Sequence, residues 1–318
     1  MSEEEAFQEL IIDRVLPWIN DHVTAGNLTA KDGAKLRYYY AINPNAKASI
    51  TVIHGFCEFF GKYHEVLYRF YEAGYSVFFM ELRGHGKSQR FVEPKDLVYV
   101  KSFSEYISDV HAFSRQIVFP MTKHHKHVLF GHSMGGAITA MYLEKYPGEY
   151  DAGILSSPML GLDFGRTPKL GIRAAAAVSR VARQDFNILP GHTLFDGVPD
   201  FPHSNALSEV RYNYQFNLRC DDRDYQTWAG TNGWLRASMR AISSIQKNTK
   251  KIQVPVCILE AGKDTTVDNA GTDAFEQKVD SSTIYVFPDA KHEIYNADEK
   301  NRERWYTLIF QYLKKHIH

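Results

Sequence analysis

Short apolar runs rich in Val, Ile and Phe alternate with amphipathic segments of helix length along most of the chain. The runs at residues 49–55 (SITVIHG), 75–81 (YSVFFME) and 127–131 (HVLFG) predict strands, as do 151–156 (DAGILS), 254–260 (VPVCILE) and 283–287 (TIYVF). Near-continuous apolar runs of this length belong to strands covered on both faces, as in a parallel sheet. Helices are predicted between them at 63–72, 104–118, 136–145, 269–279 and 298–315. Regular alternation of strand and helix argues for an α/β fold, a doubly wound, mostly parallel sheet with helices on both faces. Residues 5–19 read as a further amphipathic helix that ends at or soon after Pro17.

The rhythm breaks from about residue 158 to 233. That stretch holds an Ala/Arg helix (170–183), a polar loop and the Asp/Arg-rich segment 220–225, before helix returns at 234–246. An irregular, helical insertion between two sheet strands predicts a lid over one end of the sheet. Residues 1–157 and 236–318 would then form the core and 158–235 the cap.

Composition narrows the function classes. Of the 318 residues, 44% are apolar and 23% charged, which excludes a disordered chain. The 37 Lys and Arg balance the 37 Asp and Glu, a poor charge state for a general nucleic-acid binder. Cys57, Cys220 and Cys257 are too few and too scattered for a disulfide framework or a four-ligand zinc site. The acidic opening MSEEEAFQEL lacks the signal-peptide pattern, and no run approaches the ~20 apolar residues that span a bilayer. These features predict a cytoplasmic protein, either soluble or peripherally bound at the inner membrane face.

The strongest chemical signal is Gly131-His132-Ser133-Met134-Gly135, a G-x-S-x-G match extended by Gly136. It follows a predicted strand and opens a predicted helix, the context in which a tight turn lifts a serine above a sheet as nucleophile. A serine hydroxyl needs a base and an orienting carboxylate, expected in the order Ser, Asp or Glu, then His, each after a strand. After the 254–260 strand comes Ala261-Gly262-Lys263-Asp264, and after the 283–287 strand Pro288-Asp289-Ala290-Lys291-His292. Beyond Asp264 the other histidines are His316 and His318 in the tail, so His292 is the expected base. Asp264 is the expected acid. Asp289 competes with it, as does Asp268, which is better placed to cap the next helix. The oxyanion donors are expected at the N–H of Met134, after the nucleophile, and of Phe56, in the loop His54-Gly55-Phe56-Cys57-Glu58.

These motifs resemble those of the α/β-hydrolases of the monoacylglycerol lipase and bacterial lysophospholipase group, over roughly residues 28–315. The 54–58 loop is similar to that group's H-G-x-x-E loop, and Leu82-Arg83-Gly84-His85-Gly86-Lys87-Ser88 to its L-R-G-H-G-x-S turn. Gly131-His132-Ser133-Met134-Gly135-Gly136 resembles its G-H-S-M-G-G elbow and Gly262-Lys263-Asp264 its acid loop. Asn205-Ala206-Leu207-Ser208 and Trp234-Leu235-Arg236-Ala237 look more like the lysophospholipase branch. One departure is Glu81, where the family usually has Asp; a structural role is expected there. The resemblance implies hydrolysis of a glycerolipid monoester through an acyl-enzyme, with no metal or organic cofactor. A lysophospholipid is the first expectation, a monoacylglycerol or a general carboxylic ester the alternative.

The remaining features have plainer readings. Residues 123–127 (KHHKH) lack nearby carboxylates or thiols and read as a solvated loop rather than a metal site. In the Ala/Arg helix, Arg173 and Arg180 share a face; they are candidates for a lipid phosphate or an anionic surface, against a merely solvated face. A dehalogenase or epoxide hydrolase of this fold would carry Asp in place of Ser133. A catalytically inactive interaction protein would be expected to lack one of Ser133, Asp264 and His292.

Overall fold

The computed structural model describes residues 2–163, 165 and 179–317. The strands are β1 (Thr24–Thr29), β2 (Lys35–Ala41), β3 (Ala48–Ile53), β4 (Ser76–Met80), β5 (Leu97–Val98), β6 (Lys126–His132), β7 (Ala152–Ser156), β8 (Ala229–Gly230), β9 (Val256–Ala261) and β10 (Ser282–Phe287). Eight of them form one sheet in the order β1-β2-β4-β3-β6-β7-β9-β10, and β5 pairs with β8. Only β2 runs against the others in the main sheet.

The long helices are α1 (Glu3–Glu9), α2 (Leu16–His22), α3 (His64–Glu72), α4 (Phe103–Phe113), α5 (Met134–Lys145), α6 (Glu209–Asp221), α7 (Asn232–Asn248), α8 (Asn269–Glu276) and α9 (Glu299–Ile317). Side chains alternate across the strands, so each apolar run feeds two cores. Val128 and Phe130 of β6 join Ile11, Trp18, Phe70 and Trp305 on one face. Leu129 joins Val110, Ile138 and Ile245 on the other. The six predicted strands and the predicted α/β class are thereby accounted for.

The structure adds and corrects elements. The β1–β2 hairpin was not predicted; its turn carries Asp32-Gly33, with Gly33 at φ 90°. The N-terminal helix ends at His22, shortly after Pro17. A wide π turn at Leu10–Val15 precedes Pro17. Pro17 falls in the first turn of α2, where its missing N–H costs little. Helix α6 lies where a polar loop was expected. Of the predicted Ala/Arg helix, Ser179, Arg180 and Val181 are helical and 170–178 lie outside the described residues.

The parallel strands finish in register along one edge. Ile53 pairs with Gly131, His132 with Ser156, and Ala261 with Phe287. The loops after β3, β6, β9 and β10, which carry every expected catalytic residue, therefore leave the sheet at the same end.

Candidate active site

Ser133 is the pivot between β6 and α5, with φ 53° and ψ −117°. A side chain in this half of conformational space costs about 1–3 kcal/mol and persists only where its surroundings enforce it. Here the Ser133 N–H donates to Ser156 O at 3.0 Å, and Ser133 O accepts from Gly136 at 2.9 Å and Met159 at 2.9 Å. The flanking glycines allow the close approach. A Cβ on Gly131 would lie 2.2 Å from Gly135 O, and one on Gly135 would lie 2.1 Å from Ile53 O.

The loop after β9 carries Asp264 and that after β10 carries His292. The His292 Nδ1 lies 2.6 Å from Asp264 Oδ2, with both side chains buried. Asp264 Oδ1 accepts from the Thr266 and Val267 N–H groups at 2.8 and 3.0 Å. Burial alone would raise this carboxyl's pKa, but the His292 hydrogen bond and charge and these two N–H groups outweigh it and hold it below the usual value. The two competing acids are engaged elsewhere. Asp268 caps α8 through Ala270 N–H at 3.1 Å, and the exposed Asp289 pairs with Lys263 at 3.1 Å. The His292 ring lies 4.9 Å from the ring of His132, the neighbour of Ser133.

The loop after β3 is held by its own first residue. His54 Nε2 accepts from Leu82 N–H at 2.9 Å, which leaves its Nδ1–H to donate to Gly55 O at 2.7 Å. Burial pushes the His54 pKa down to about 4. Among the described residues, nothing accepts a hydrogen bond from the Phe56 or Met134 N–H. These two residues are coupled through one side chain. The Phe56 ring lies 4.1 Å from the Trp234 ring, and Trp234 Nε1–H reaches Met134 Sδ at 3.4 Å.

A buried charged network, which sequence reasoning missed, ties this loop to the histidine loop. Glu58 accepts from Gly55 N–H at 2.5 Å, Tyr63 at 2.6 Å and Tyr295 at 2.8 Å. Lys62 lies 3.1 Å from Glu58 and 2.6 Å from Glu293, the neighbour of His292. Burial opposes the charged form of Glu58, yet Lys62, His132 and the Tyr63 hydroxyl hold its pKa low. The Glu58-x-x-x-Lys62 spacing was the available signal; its link to Glu293 was not. Glu81 has the structural role expected of it. Its carboxylate accepts from Phe60 N–H at 3.0 Å and Lys87 N–H at 2.7 Å, joining two turns.

Two spaces adjoin these loops. A cavity of about 280 Å³ is walled by Phe56, Lys62, Asn205, Tyr212, Arg219 and Glu293. A groove of about 570 Å³ runs between α7 and α8, with Leu160, Leu162, Met239 and Ile242 in its wall and Lys247 and Lys278 along it. Of the two arginines singled out in the sequence, Arg180 is exposed and Arg173 lies outside the described residues.

A serine on a strained strand-to-helix turn, above a parallel sheet whose other loops deliver a buried Asp–His pair, defines a serine hydrolase of the α/β-hydrolase fold. Residues 44–299 match the family model described as serine aminopeptidase, S33, and the chain belongs to that family. It is 29% identical to lysophospholipase L2 of Escherichia coli K12 over 285 residues, 84% of this chain and 80% of that protein. It is 26% identical to a monoacylglycerol lipase of Mycolicibacterium smegmatis, over 79% of this chain and 83% of that one. In fold it resembles a soluble variant of monoglyceride lipase from Saccharomyces cerevisiae (TM-score 0.74, 20% identity, 93% of this chain and 95% of that one). It also resembles a thermostable carboxyl esterase from Bacillus coagulans (TM-score 0.75, 18% identity, 93% and 99%). Among the described residues no helix is long and apolar enough to cross a membrane.

Proposed function

We propose that this protein hydrolyses the acyl ester of a glycerolipid monoester, a lysophospholipid first, through Ser133, His292 and Asp264. The observation that carries the reading is the buried 2.6 Å Asp264–His292 pair beside the strained Ser133 turn. Because Nδ1–H faces Asp264, His292 presents Nε2 as the base. Ser133 Oγ attacks the ester carbonyl as His292 takes its proton, and the oxyanion accepts from the Phe56 and Met134 N–H groups. Collapse expels the glycerol-side oxygen, to which His292 returns the proton. Water, deprotonated by the same histidine, then frees the fatty acid from Ser133.

The likeness to the Escherichia coli lysophospholipase favours a phospholipid monoester over a monoacylglycerol. The insertion at 158–235 acts as a cap that meets a membrane surface without crossing it. Val181, Phe186, Leu194 and Val198 are exposed there, and Arg180, with Arg173, adds positive charge suited to anionic lipid. The three free cysteines fit the cytoplasm.

The test is fatty-acid release from lysophosphatidylethanolamine, lysophosphatidylcholine, monoacylglycerol and a short-chain ester, side by side, with Ser133→Ala as blank. A Ser133-dependent preference for the lysophospholipids is expected. Preference for monoacylglycerol moves the enzyme to the lipase alternative, and turnover of none of them contradicts the substrate class.

A further inference from the structure

We propose that the cavity beside the 54–58 loop is a phosphodiester-binding subsite organised by Arg219, which receives the headgroup of the departing alcohol; this rests on the glycerolipid reading above. Four described arginines are buried: Arg83, Arg211, Arg219 and Arg302. Three have a carboxylate within reach, Arg83 with Asp109 at 2.6 Å, Arg211 with Glu65 at 2.8 Å and Arg302 with Glu65 at 3.7 Å. Arg219 has none among the described residues. Its guanidinium donates to the carbonyls of Thr227 and, at 2.9 Å, Cys57, and lies 5.1 Å from the rings of Phe59 and Trp228. A planar guanidinium that no carboxylate contacts directly and that keeps unused N–H groups matches phosphate oxygens.

The other cation in the wall, Lys62, is already paired with Glu58 and Glu293. Arg219 is therefore the cation in the wall whose N–H groups no carboxylate holds directly, although Glu58 and Glu293 act on it at longer range. Tyr212 assists. Its oxygen accepts from Asp200 N–H at 2.7 Å, which leaves its own O–H to donate. Position completes the argument. The wall holds Phe56, an oxyanion donor in the proposed mechanism, and Glu293, next to the histidine that returns a proton to the leaving oxygen. A headgroup seated here keeps the leaving oxygen on the His292 side.

The experiment compares kcat/KM for lysophosphatidylethanolamine and for a monoacylglycerol of the same acyl chain in wild type, Arg219→Gln, Arg219→Lys and Tyr212→Phe. Alongside, glycerophosphoethanolamine, inorganic phosphate and glycerol are tested as inhibitors of short-chain ester hydrolysis. Arg219→Gln is expected to lower the lysophospholipid-to-monoacylglycerol ratio by about 10- to 100-fold, the range of a charge-assisted hydrogen bond, with Arg219→Lys less affected. Glycerophosphoethanolamine is expected to inhibit wild type better than glycerol and to lose that advantage in Arg219→Gln. Equal inhibition by inorganic phosphate would overturn the headgroup assignment in favour of a free-phosphate site. An unchanged ratio, or equal losses on both substrates, would mean that Arg219 only braces the Cys57 carbonyl and would overturn the proposal. Should Arg219→Gln fail to fold, the Tyr212→Phe ratio and the wild-type inhibition series decide it. Should wild type not hydrolyse lysophospholipids at all, the substrate reading fails, and the subsite is judged on glycerophosphoethanolamine inhibition alone.

Discussion

Lys62 Nζ donates to Glu293 Oε1 at 2.6 Å, across 231 positions of the chain. One end of this bond sits just after the loop of the proposed oxyanion donor Phe56, and the other sits beside His292. Through Glu58, 3.1 Å from the same ammonium, the bond extends to Gly55 N–H. Replacing Lys62 by Met would leave two buried carboxylates without their cation. Lys62→Met is expected to lower unfolding free energy by about 3–5 kcal/mol, read from urea denaturation, with a parallel fall in ester turnover. Stability within about 0.5 kcal/mol of wild type would mean that the network bears no weight.

Asp264 and Asp268 differ in what their carboxylates hold. Asp264→Asn keeps the shape but loses the charge facing His292, and turnover is expected to fall about 10⁴-fold. Asp268→Asn keeps an effective helix cap and is expected to leave turnover near wild type. Steady-state kinetics on the two variants separates the roles, and the reverse pattern would refute the acid assignment.

His54 links the site to pH. Both its ring nitrogens are engaged in a way that only the neutral form satisfies, and burial holds its pKa at about 4 against an ordinary 6.5. Between those values the unfolded chain binds the proton and the folded chain does not. The stability His54 contributes is therefore complete above the ordinary value and is lost as pH falls toward the folded one. From about pH 7.5 to about pH 5 the loss amounts to about 2 kcal/mol. Urea denaturation at both pH values should show wild type losing about that much more than His54→Gln. Equal losses would indicate that the ring protonates freely in the fold.

The central strands and the Ser133 turn were legible because their signals are local: continuous apolar runs and glycines at fixed offsets. Helix α6 was not. Its buried residues are Arg211, Phe216 and Arg219, so the face it packs inward is largely charged and leaves no hydrophobic period to detect. The wide turn at Leu10–Val15, before Pro17, had no sequence signal. The Asp32-Gly33 turn of the β1–β2 hairpin was visible, but Lys35–Ala41 at the antiparallel edge lacks the uniform apolarity of the central strands. Asp264 was separable from Asp268 by its nearness to a strand end. The Lys62–Glu293 bond had no sequence counterpart, because it exists only once two distant loops share one edge of the sheet.

The central claim is that Ser133 is the acylated nucleophile. Its most direct test is reaction with a fluorophosphonate followed by peptide mass spectrometry, alongside ester turnover of Ser133→Ala and His292→Ala. A single adduct on the Ser133 peptide is expected, with no adduct in Ser133→Ala, slow labelling in His292→Ala, and turnover reduced about 10⁶-fold in both variants. An adduct on another residue, or ester hydrolysis that survives in Ser133→Ala, would contradict it.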